Sequence, residues 1–532
     1  MNKLHSTILA DMSAIRKKGI SYHSNNYRWP VSDDEFYKFE KYVHNTYIDL
    51  ILRLSDKRLF DIACVEYTFV GQLVQILHYN YIKNYSVSSN MDIIFGRDSE
   101  MYKNPDWNQL ANYYRYVDFP FGRTKRFFRR IIKNIVFNRH ISFRRRIKGA
   151  FFGIDNVSIG SNDKIKEEYI KSKDILCDYM DWPDLLGDPI ERNDFGEASL
   201  SNDLFSKVIS PFVSTVLNHN SLFVKGINAP LIEKVFNKRA YDVSIIYDRL
   251  IKLNKPCDLL VAEVAHPMNK IITIVYQRSG YNVYCFHHGN DASFSKNEFG
   301  HQLSTSHCKN FIVPTKGIAK RYSRDYSSLH LEKRVGTEYI NINSNYMYSM
   351  FTKNMYHSNS LKNIERIVIM GYPAHTYRYS CEGGMFFYHK SDLEYRLIKF
   401  IKSLGVNVCY KAHPDTLEST KGLYEGIVDE IVVKNFEDSW KATDLLLFTY
   451  TSSSTFGYAL TTNLPIVLVD PSLELRDRED VILMQKRVNF IKAKVNKIGR
   501  VIFNKEELAS SILSVNIKQN FEYVQEIYGV SV

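Results

Sequence analysis

Four consecutive hydroxyl residues lie between an apolar stretch, DLLLF, and a short helical pattern. They are Ser452, Ser453, Ser454 and Thr455. The N–H groups and the positive dipole end of a helix N-terminus bind phosphate, and small hydroxyl side chains add further donors. Helix capping needs only one such residue, so four in succession favour a ligand over capping alone. We expect this group, called the hydroxyl cluster below, to bind a phosphate group.

A histidine followed by a proline precedes the hydroxyl cluster, in the stretch Lys411-Ala412-His413-Pro414. Proline cannot continue a β-ladder, so Pro414 ends the preceding strand and His413 projects from the end of the sheet. There the imidazole can donate to a phosphate oxygen, and Lys411 can add positive charge. A histidine–proline pair alone indicates only a turn, but together with the later hydroxyl cluster it favours phosphate binding.

Candidates for the chemical step follow other apolar stretches. His287 and His288 end the predicted strand NVYCF and precede Gly289. A histidine there could act as a base or stabilise a leaving group, and we favour His288. Glu263 ends the neighbouring predicted strand and could be a base or nucleophile, with a salt-bridged structural glutamate as the equal alternative. Glu66, after the apolar stretch LFDIACV, is a third candidate.

Motifs for metal or dinucleotide chemistry do not occur in the sequence. It has no Asp-x-Asp between apolar strands, no His-Glu-x-x-His, no Walker A loop and no Gly-x-Gly-x-x-Gly. We therefore expect no metal and no cofactor. Arg378 and Lys411 are the candidates to place positive charge beside a bound phosphate.

Positive charge is concentrated between residues 121 and 150. This segment holds eleven of the 70 Lys and Arg residues and no acidic one, leaving 59 basic against 58 acidic residues elsewhere. Its apolar residues recur at helical spacing, which suits contact with an anionic membrane or a lipid-linked acceptor. The residues proposed for this contact are Arg126, Arg129, Arg130 and Lys133.

Two alternatives for the basic segment remain open. The helix could pack inward, which would place Phe127, Phe128 and Ile131 in the core and leave the basic face in solvent. It could also bind nucleic acid, but no nucleic-acid-binding module accompanies it, so we expect no nucleic-acid partner.

Strand and helix patterns alternate over most of the 532 residues, which predicts an α/β fold with two large domains. We place an N-terminal domain at residues 1–340, with a basic insertion at about 85–200. A polar linker follows at 341–363, and a C-terminal domain occupies 364–532. The predicted strands include 59–65, 258–264, 310–313, 366–370, 406–410 and 445–448, and the predicted helices include 203–216, 229–253, 269–279 and 392–404.

Cysteine content and the N-terminal sequence bear on the compartment. The seven cysteines form no Cys-x-x-Cys motif, which favours reducing surroundings. The N-terminus lacks the apolar region of a signal peptide. We expect a cytoplasmic protein that does not span a membrane.

The order of these motifs resembles the C-terminal half of GT-B glycosyltransferases of bacterial surface polysaccharide synthesis. The matching pattern is K-x-HP, then DLLLF-T-x-TSSSTF, then LPIVLVD. The Kdo, capsule and polysialic acid transferases share such an HP motif and an SS or ST motif, and teichoic-acid glycerophosphotransferases carry a similar pair. The stretch at residues 257–291, which ends in HHGND, is similar to the end of a GT-B N-terminal domain.

The resemblance implies two Rossmann-like domains that face each other across a cleft, with donor contacts from His413, Ser452, Ser453 and Ser454. It implies transfer of a sugar, such as Kdo or another acid sugar, from a CMP-linked nucleotide donor. The acceptor would be a growing lipopolysaccharide, O-antigen or capsule glycan, lipid-linked or free, at the inner face of the cell membrane. The alternatives are CDP-polyol phosphotransfer in teichoic-acid-like synthesis, and a non-catalytic scaffold that binds glycan or membrane.

Overall fold

The computed structural model describes most of the chain and has a mixed α/β architecture. The described residues are 7–115, 123–152, 154–186, 202–287, 294–355, 363–371, 386–471, 476–514, 518 and 520–529.

The strands of the described residues are short. They are β1 (Thr7–Leu9), β2 (Asp92–Ile94), β3 (Asn156–Ile159), β4 (Asp178–Tyr179), β5 (Asp258–Val261), β6 (Val283–Phe286), β7 (Asn310–Val313), β8 (Glu338–Asn341), β9 (Arg366–Met370), β10 (Asn407–Lys411), β11 (Glu430–Val432), β12 (Leu445–Phe448), β13 (Ile466–Asp470), β14 (Asn489–Val495) and β15 (Val501–Phe503).

Helices account for most of the ordered backbone. They are α1 (Met12–Lys18), α2 (Ile20–Asn25), α3 (Asp33–Leu52), α4 (Lys57–Ser89), α5 (Glu100–Lys103), α6 (Trp107–Ala111), α7 (Arg123–Phe137), α8 (Phe143–Phe152), α9 (Lys164–Ser172), α10 (Trp182–Leu186), α11 (Asn202–Leu204), α12 (Ser210–Leu217), α13 (Ala229–Leu253), α14 (Pro267–Arg278), α15 (Glu298–Thr305), α16 (Lys316–Tyr326), α17 (His330–Val335), α18 (Asn345–Met355), α19 (Phe387–Ser403), α20 (Leu417–Tyr424), α21 (Phe436–Ser439), α22 (Ser454–Leu460), α23 (Arg478–Gln485), α24 (Lys505–Leu513) and α25 (Glu522–Tyr528). A π-helical stretch, Phe205–Ile209, joins α11 to α12.

The first large sheet has the strand order β4-β3-β5-β6-β7-β8, and all its pairs are parallel. Its central strands are continuous apolar runs, as expected where helices cover both faces of a parallel sheet. In β5, for example, Leu259, Leu260 and Val261 are all fully buried. Parallel strands end at a common edge, so the residues after β3 and β5 lie side by side.

The second large sheet has the order β11-β10-β9-β12-β13-β14-β15. Its pairs are parallel except for the hairpin β14–β15. The chain moves outward from β9 to β10 and β11 on one side, then returns to β12 on the other side of β9. This reversal of strand order beside β9 is the place where open α/β sheets form a ligand crevice at their carboxyl edge.

Much of this architecture was predictable. The α/β class is confirmed, and β7, β9, β12 and α13 have the predicted bounds. Strands β3 and β4, inside the segment expected to be an insertion, were missed, although β3 pairs with β5 in the first sheet. The stretch expected to be a polar linker contributes helix α18, and the C-terminal region contributes β14 and β15.

The predicted strand at residues 59–65 is wrong, because these residues lie in the 33-residue helix α4. The side chain of Asp56 caps this helix by accepting a hydrogen bond from the N–H of Leu59 (3.0 Å). Neighbouring helices bury α4 on several sides, so its apolar residues are continuous and imitate a buried strand. Helix α4 is long and apolar enough to cross a membrane, but 78% of its most apolar window is buried inside the protein.

A buried ion pair joins α4 to α13. The Nε of Arg239 lies 2.6 Å from Oε2 of Glu66, and both side chains are at most 2% exposed. The hydroxyl of Tyr114 donates to the other Glu66 oxygen (2.7 Å). Glu66 therefore lies inside a helix, buried and paired with Arg239, and the prediction that it follows the end of a strand is wrong.

We expect Arg239→Met to lower the free energy of unfolding by about 3–5 kcal/mol, because it leaves the Glu66 carboxylate buried and unpaired. Lys38→Met is the matched control, since the Lys38–Asp34 pair is 73% exposed on both sides and should contribute less than about 1 kcal/mol. Urea denaturation followed by circular dichroism measures both. Equal effects of the two substitutions would contradict the structural role assigned to the Glu66–Arg239 pair.

Candidate functional site

The two predicted phosphate-binding motifs flank one strand of the second sheet. His413 follows β10, and the hydroxyl cluster follows β12, while β9 lies between these two strands. Two strand spacings separate β10 from β12, about 10 Å. The carboxyl edge of β9 thus has His413 on one side and the hydroxyl cluster on the other; we call this place the β9 crevice.

The hydroxyl cluster combines a helix cap with accessible hydroxyls. The Oγ of Ser453 accepts a hydrogen bond from the N–H of Phe456 (3.1 Å) and caps α22. Ser454 is exposed and Ser452 and Thr455 are partly exposed. One member therefore performs the capping role, and the other three are at least partly exposed beside the crevice.

Lys411 ends β10 with its ammonium largely buried. Its Nζ donates to the carbonyl of Ala412 (2.6 Å). Burial lowers the pKa of Lys411, and the charge of Glu437 partly opposes this shift. An anion entering the crevice would compensate the desolvation of this charge.

Several residues that support the β9 crevice could not be recognised from the sequence. The Nζ of Lys390, in α19, donates to Thr449 Oγ1 (2.8 Å) and pairs with Glu394 Oε1 (2.9 Å). Arg476 donates to Thr451 Oγ1 (3.2 Å) and pairs with Asp470 (3.0 Å). These contacts fix the loop between β12 and the hydroxyl cluster from two sides.

Gly371 directly follows β9, at a point where the backbone of β10 comes close. A Cβ on Gly371 would lie 2.6 Å from the Lys411 carbonyl oxygen, which is too close for any side chain. The hydroxyl of Tyr450 also donates to the Gly371 carbonyl (3.0 Å). The small residue therefore allows the ends of β9, β10 and β12 to meet closely.

A second candidate site lies at the carboxyl edge of the first sheet. A cavity of about 420 Å³ lies beyond the ends of β3, β4 and β5, within the size range of small-molecule sites. We call it the β5 cavity. Its lining includes Glu263 and His266 from the turn after β5, Ser158 and Ser161 from β3 and its following turn, and Lys133 from α7.

The backbone at Glu263 is strained. Its φ of +53° is in the left-handed region, which a residue with a Cβ rarely adopts. The side chain of Asn269 holds this turn by donating to the carbonyls of Ala262 (3.0 Å) and Glu263 (3.2 Å). Gly160 makes room for the turn, because a Cβ there would lie 2.4 Å from the Ala262 carbonyl oxygen. Strain of this kind concentrates at functional sites, and here it exposes the Glu263 carboxylate at the cavity.

Three polar atoms that line the β5 cavity have no hydrogen-bond partner among the described residues. They are Ser158 Oγ, Ser161 Oγ and Asn162 Oδ1. Ser158 is only 2% exposed, so its hydroxyl depends on a bound molecule or water for a partner. A polyhydroxylated ligand offers donors and acceptors of the kind these atoms lack.

His287 does not line the β5 cavity and does not lie at the β9 crevice. The ring of His287 is buried (5% exposed) beside Phe311 and Tyr322. His288 and Arg378 lie outside the described residues.

The basic face of α7 is turned toward the protein. Arg126 lies 3.6 Å from Asp184, Lys133 lies 2.7 Å from Asp181, and Arg130 forms an ion pair with Asp178. Arg129 is half-exposed and lies 4.0 Å from Asp181. The prediction that these four residues are the basic contact to a membrane or acceptor does not fit this arrangement, because aspartates in β4, in α10 and in the turn between them pair with this face.

The alternative of inward packing is also wrong. Phe127 and Phe128 are 58% and 59% exposed, and Ile131 is 38% exposed. The apolar face of α7 therefore points to solvent, the reverse of the usual orientation of an amphipathic helix on a protein surface.

Comparison with protein-family models and with curated proteins gives no match. No model of a protein family matches the sequence, and no curated protein is significantly similar to it. No cluster of three or more potential metal ligands occurs in the part of the chain that the structure describes. The case for function rests on the β9 crevice and the β5 cavity.

We expect Glu263→Gly to raise the stability of the protein by about 1 kcal/mol, because glycine adopts a positive φ without strain. Glu263→Ala is the control, since it removes the same carboxylate but keeps a Cβ in the strained conformation. Thermal unfolding compares the two variants. A melting temperature of Glu263→Gly at or below that of Glu263→Ala would show that no strain is stored there.

Proposed function

We propose that this protein is a metal-independent glycosyltransferase of the GT-B type. It transfers a sugar, such as Kdo or another acid sugar, from a CMP-linked donor to a growing surface glycan. The observation that carries the proposal is the position of His413 and the hydroxyl cluster on either side of β9, at the reversal of strand order. Nucleotides bind at such positions in open α/β sheets.

The donor nucleotide occupies the β9 crevice in this account. His413 and the hydroxyls of Ser452, Ser454 and Thr455 donate to the phosphate, and the Lys411 ammonium balances its charge. When the bond between the sugar anomeric carbon and the phosphate oxygen breaks, the electron pair leaves with CMP. The same donors then hold a more negative phosphate, so they stabilise the transition state more than the ground state.

The acceptor occupies the β5 cavity. Ser158, Ser161 and Asn162 pair with its hydroxyl groups, and the Glu263 carboxylate takes the proton of the attacking hydroxyl. The new bond joins that acceptor oxygen to the anomeric carbon. Glu263 thus acts as the general base, and no cofactor takes part.

Transfer requires the two sites to face each other, as in the GT-B arrangement. Contacts between the two halves of the chain support this arrangement. Arg321 in α16 forms a bidentate pair with Asp480 in α23 (2.5 and 2.6 Å), and Thr315 donates to the carbonyl of Ile527 in α25 (2.5 Å). The last helix thereby packs against the N-terminal half.

Titration calorimetry with CMP, CDP, UDP and GDP tests the donor site. We expect a cytidine nucleotide to bind, and His413→Ala to weaken its binding by about 10- to 100-fold through loss of a charge-assisted hydrogen bond. His330→Ala, at an exposed histidine of α17, is the control and should bind as the wild type does. Absence of binding by all four nucleotides, or equal affinity of His413→Ala and wild type, would refute the assignment.

A second prediction concerns Glu263 as base. We expect Glu263→Gln to reduce acceptor-dependent release of CMP from a CMP-linked sugar by about 10²- to 10⁴-fold, because the amide cannot accept the proton. Nucleotide affinity should stay unchanged, since Glu263 lies in the other site. Wild-type turnover by Glu263→Gln would exclude it as the base.

A further inference from the structure

Eight of the nineteen large apolar side chains that are exposed in the described part of the chain lie in α7 and α8. Phe127, Phe128, Ile132 and Ile135 are each between 58% and 61% exposed. The face continues with Ile131 and Val136 in α7 and with Phe143 and Ile147 in α8, which are 38% to 69% exposed. We call these eight residues the apolar face. Soluble monomers rarely expose such a contiguous patch unless it binds something.

The orientation of α7 is fixed by charge. Asp178, Asp181 and Asp184 hold the basic side of the helix against the protein through their ion pairs with Arg130, Lys133 and Arg126. Turning the apolar side inward would separate these pairs and leave partly buried aspartates without counterions. The exposed apolar face is therefore the stable arrangement of this helix.

Exposed cations border the apolar face. Lys125, Arg139 and Arg144 are exposed, whereas Arg145 pairs with Asp174, and residues 121–150 contain no acidic residue. A face-to-face pair of two copies would bring two such positive borders together, which like charge disfavours. An anionic lipid surface instead takes the apolar side chains into its interface and attracts the cations around them.

We propose that the apolar face of α7 and α8 inserts into the interface of an anionic lipid bilayer. In this arrangement insertion of Phe and Ile side chains provides the attachment. Arg126, Arg130 and Lys133, which are already paired with aspartates, contribute by orienting the helix.

The same helix also forms a wall of the β5 cavity. Arg129, Lys133 and Phe137 line the cavity on the inner side of α7, while the apolar face lies on its outer side. Docking would bring the cavity next to the bilayer. If the proposed transfer is correct, on which this step rests, the acceptor is a glycan carried on a membrane lipid.

Vesicle co-sedimentation tests the docking. The probes are vesicles of phosphatidylcholine alone and vesicles with roughly one third phosphatidylglycerol, from about 0.1 M to about 1 M salt. We expect the wild type to bind the anionic vesicles and to bind less as salt rises. The triple variant Phe128→Ser, Ile132→Ser, Ile135→Ser should lose more than roughly tenfold in binding, because three inserted apolar side chains are removed.

The matched control is Ile482→Ser with Leu513→Ser, which changes two apolar residues that are 50% and 61% exposed outside this face. It should bind vesicles as the wild type does. Loss of binding in the control, failure of the wild type to bind anionic vesicles at low salt, or unchanged binding by the triple variant would overturn the proposal. The wild type could instead be a dimer that does not bind vesicles and that is lost in the triple variant. The face would then be a contact between copies, and this result would also overturn the proposal.

Nucleotide titration of the triple variant separates this proposal from the proposed function. The substituted side chains point to solvent, so wild-type nucleotide affinity shows that the variant is folded. If the wild type binds vesicles but no nucleotide, the membrane-docking proposal stands and the proposed transferase function is refuted.

Discussion

Parallel hydrogen bonding on both sides of β9 is the constraint on which the candidate site depends. Each parallel neighbour directs its carboxyl end to the same edge of the sheet, so two motifs far apart in sequence meet there. The close approach at Gly371 and the pairs of Lys390 with Glu394 and of Arg476 with Asp470 hold that edge. Backbone pairing and buried ion pairs thus hold the strand ends that precede His413 and the hydroxyl cluster, the proposed phosphate donors.

The first sheet also brings the carboxyl ends of parallel strands to one edge, but the side chains at that edge differ in their chemistry. Its edge carries a strained glutamate and polar atoms that have no partner among the described residues, whereas the β9 crevice carries cationic and hydroxyl donors. One edge suits an anion, and the other suits a neutral, hydroxyl-rich molecule with a base beside it. Two complementary sites of this kind are what group transfer between a nucleotide donor and a sugar acceptor requires.

The sequence predicted the second sheet better than the first, for a physical reason. Strands such as β9 and β12 are short apolar runs bounded by turn residues, and they are buried on both faces. Helix α4 has a similar local composition around residues 59–65, but its burial depends on the preceding helix α3 and on α13 and α14, which are distant in sequence. Strand β4, of two residues, is too short to give any periodic signal.

The orientation of α7 shows a second limit of sequence patterns. Periodicity correctly indicated an amphipathic helix, but not which face points inward. That choice is made by Asp178, Asp181 and Asp184, which lie 48 to 58 residues after their partners Arg130, Lys133 and Arg126 and hold the basic face against the protein. Likewise, the backbone strain at Glu263 and the unpaired hydroxyl of Ser158 appear only once β3 and β5 are paired.

A crystal structure determined with a cytidine nucleotide bound tests the central claim most directly. The account predicts electron density for the phosphate between His413 and the hydroxyl cluster, within hydrogen-bond distance of the His413 ring and of at least one of the three accessible hydroxyls. Phosphate density at any other place in the protein, with the β9 crevice left empty, would contradict it.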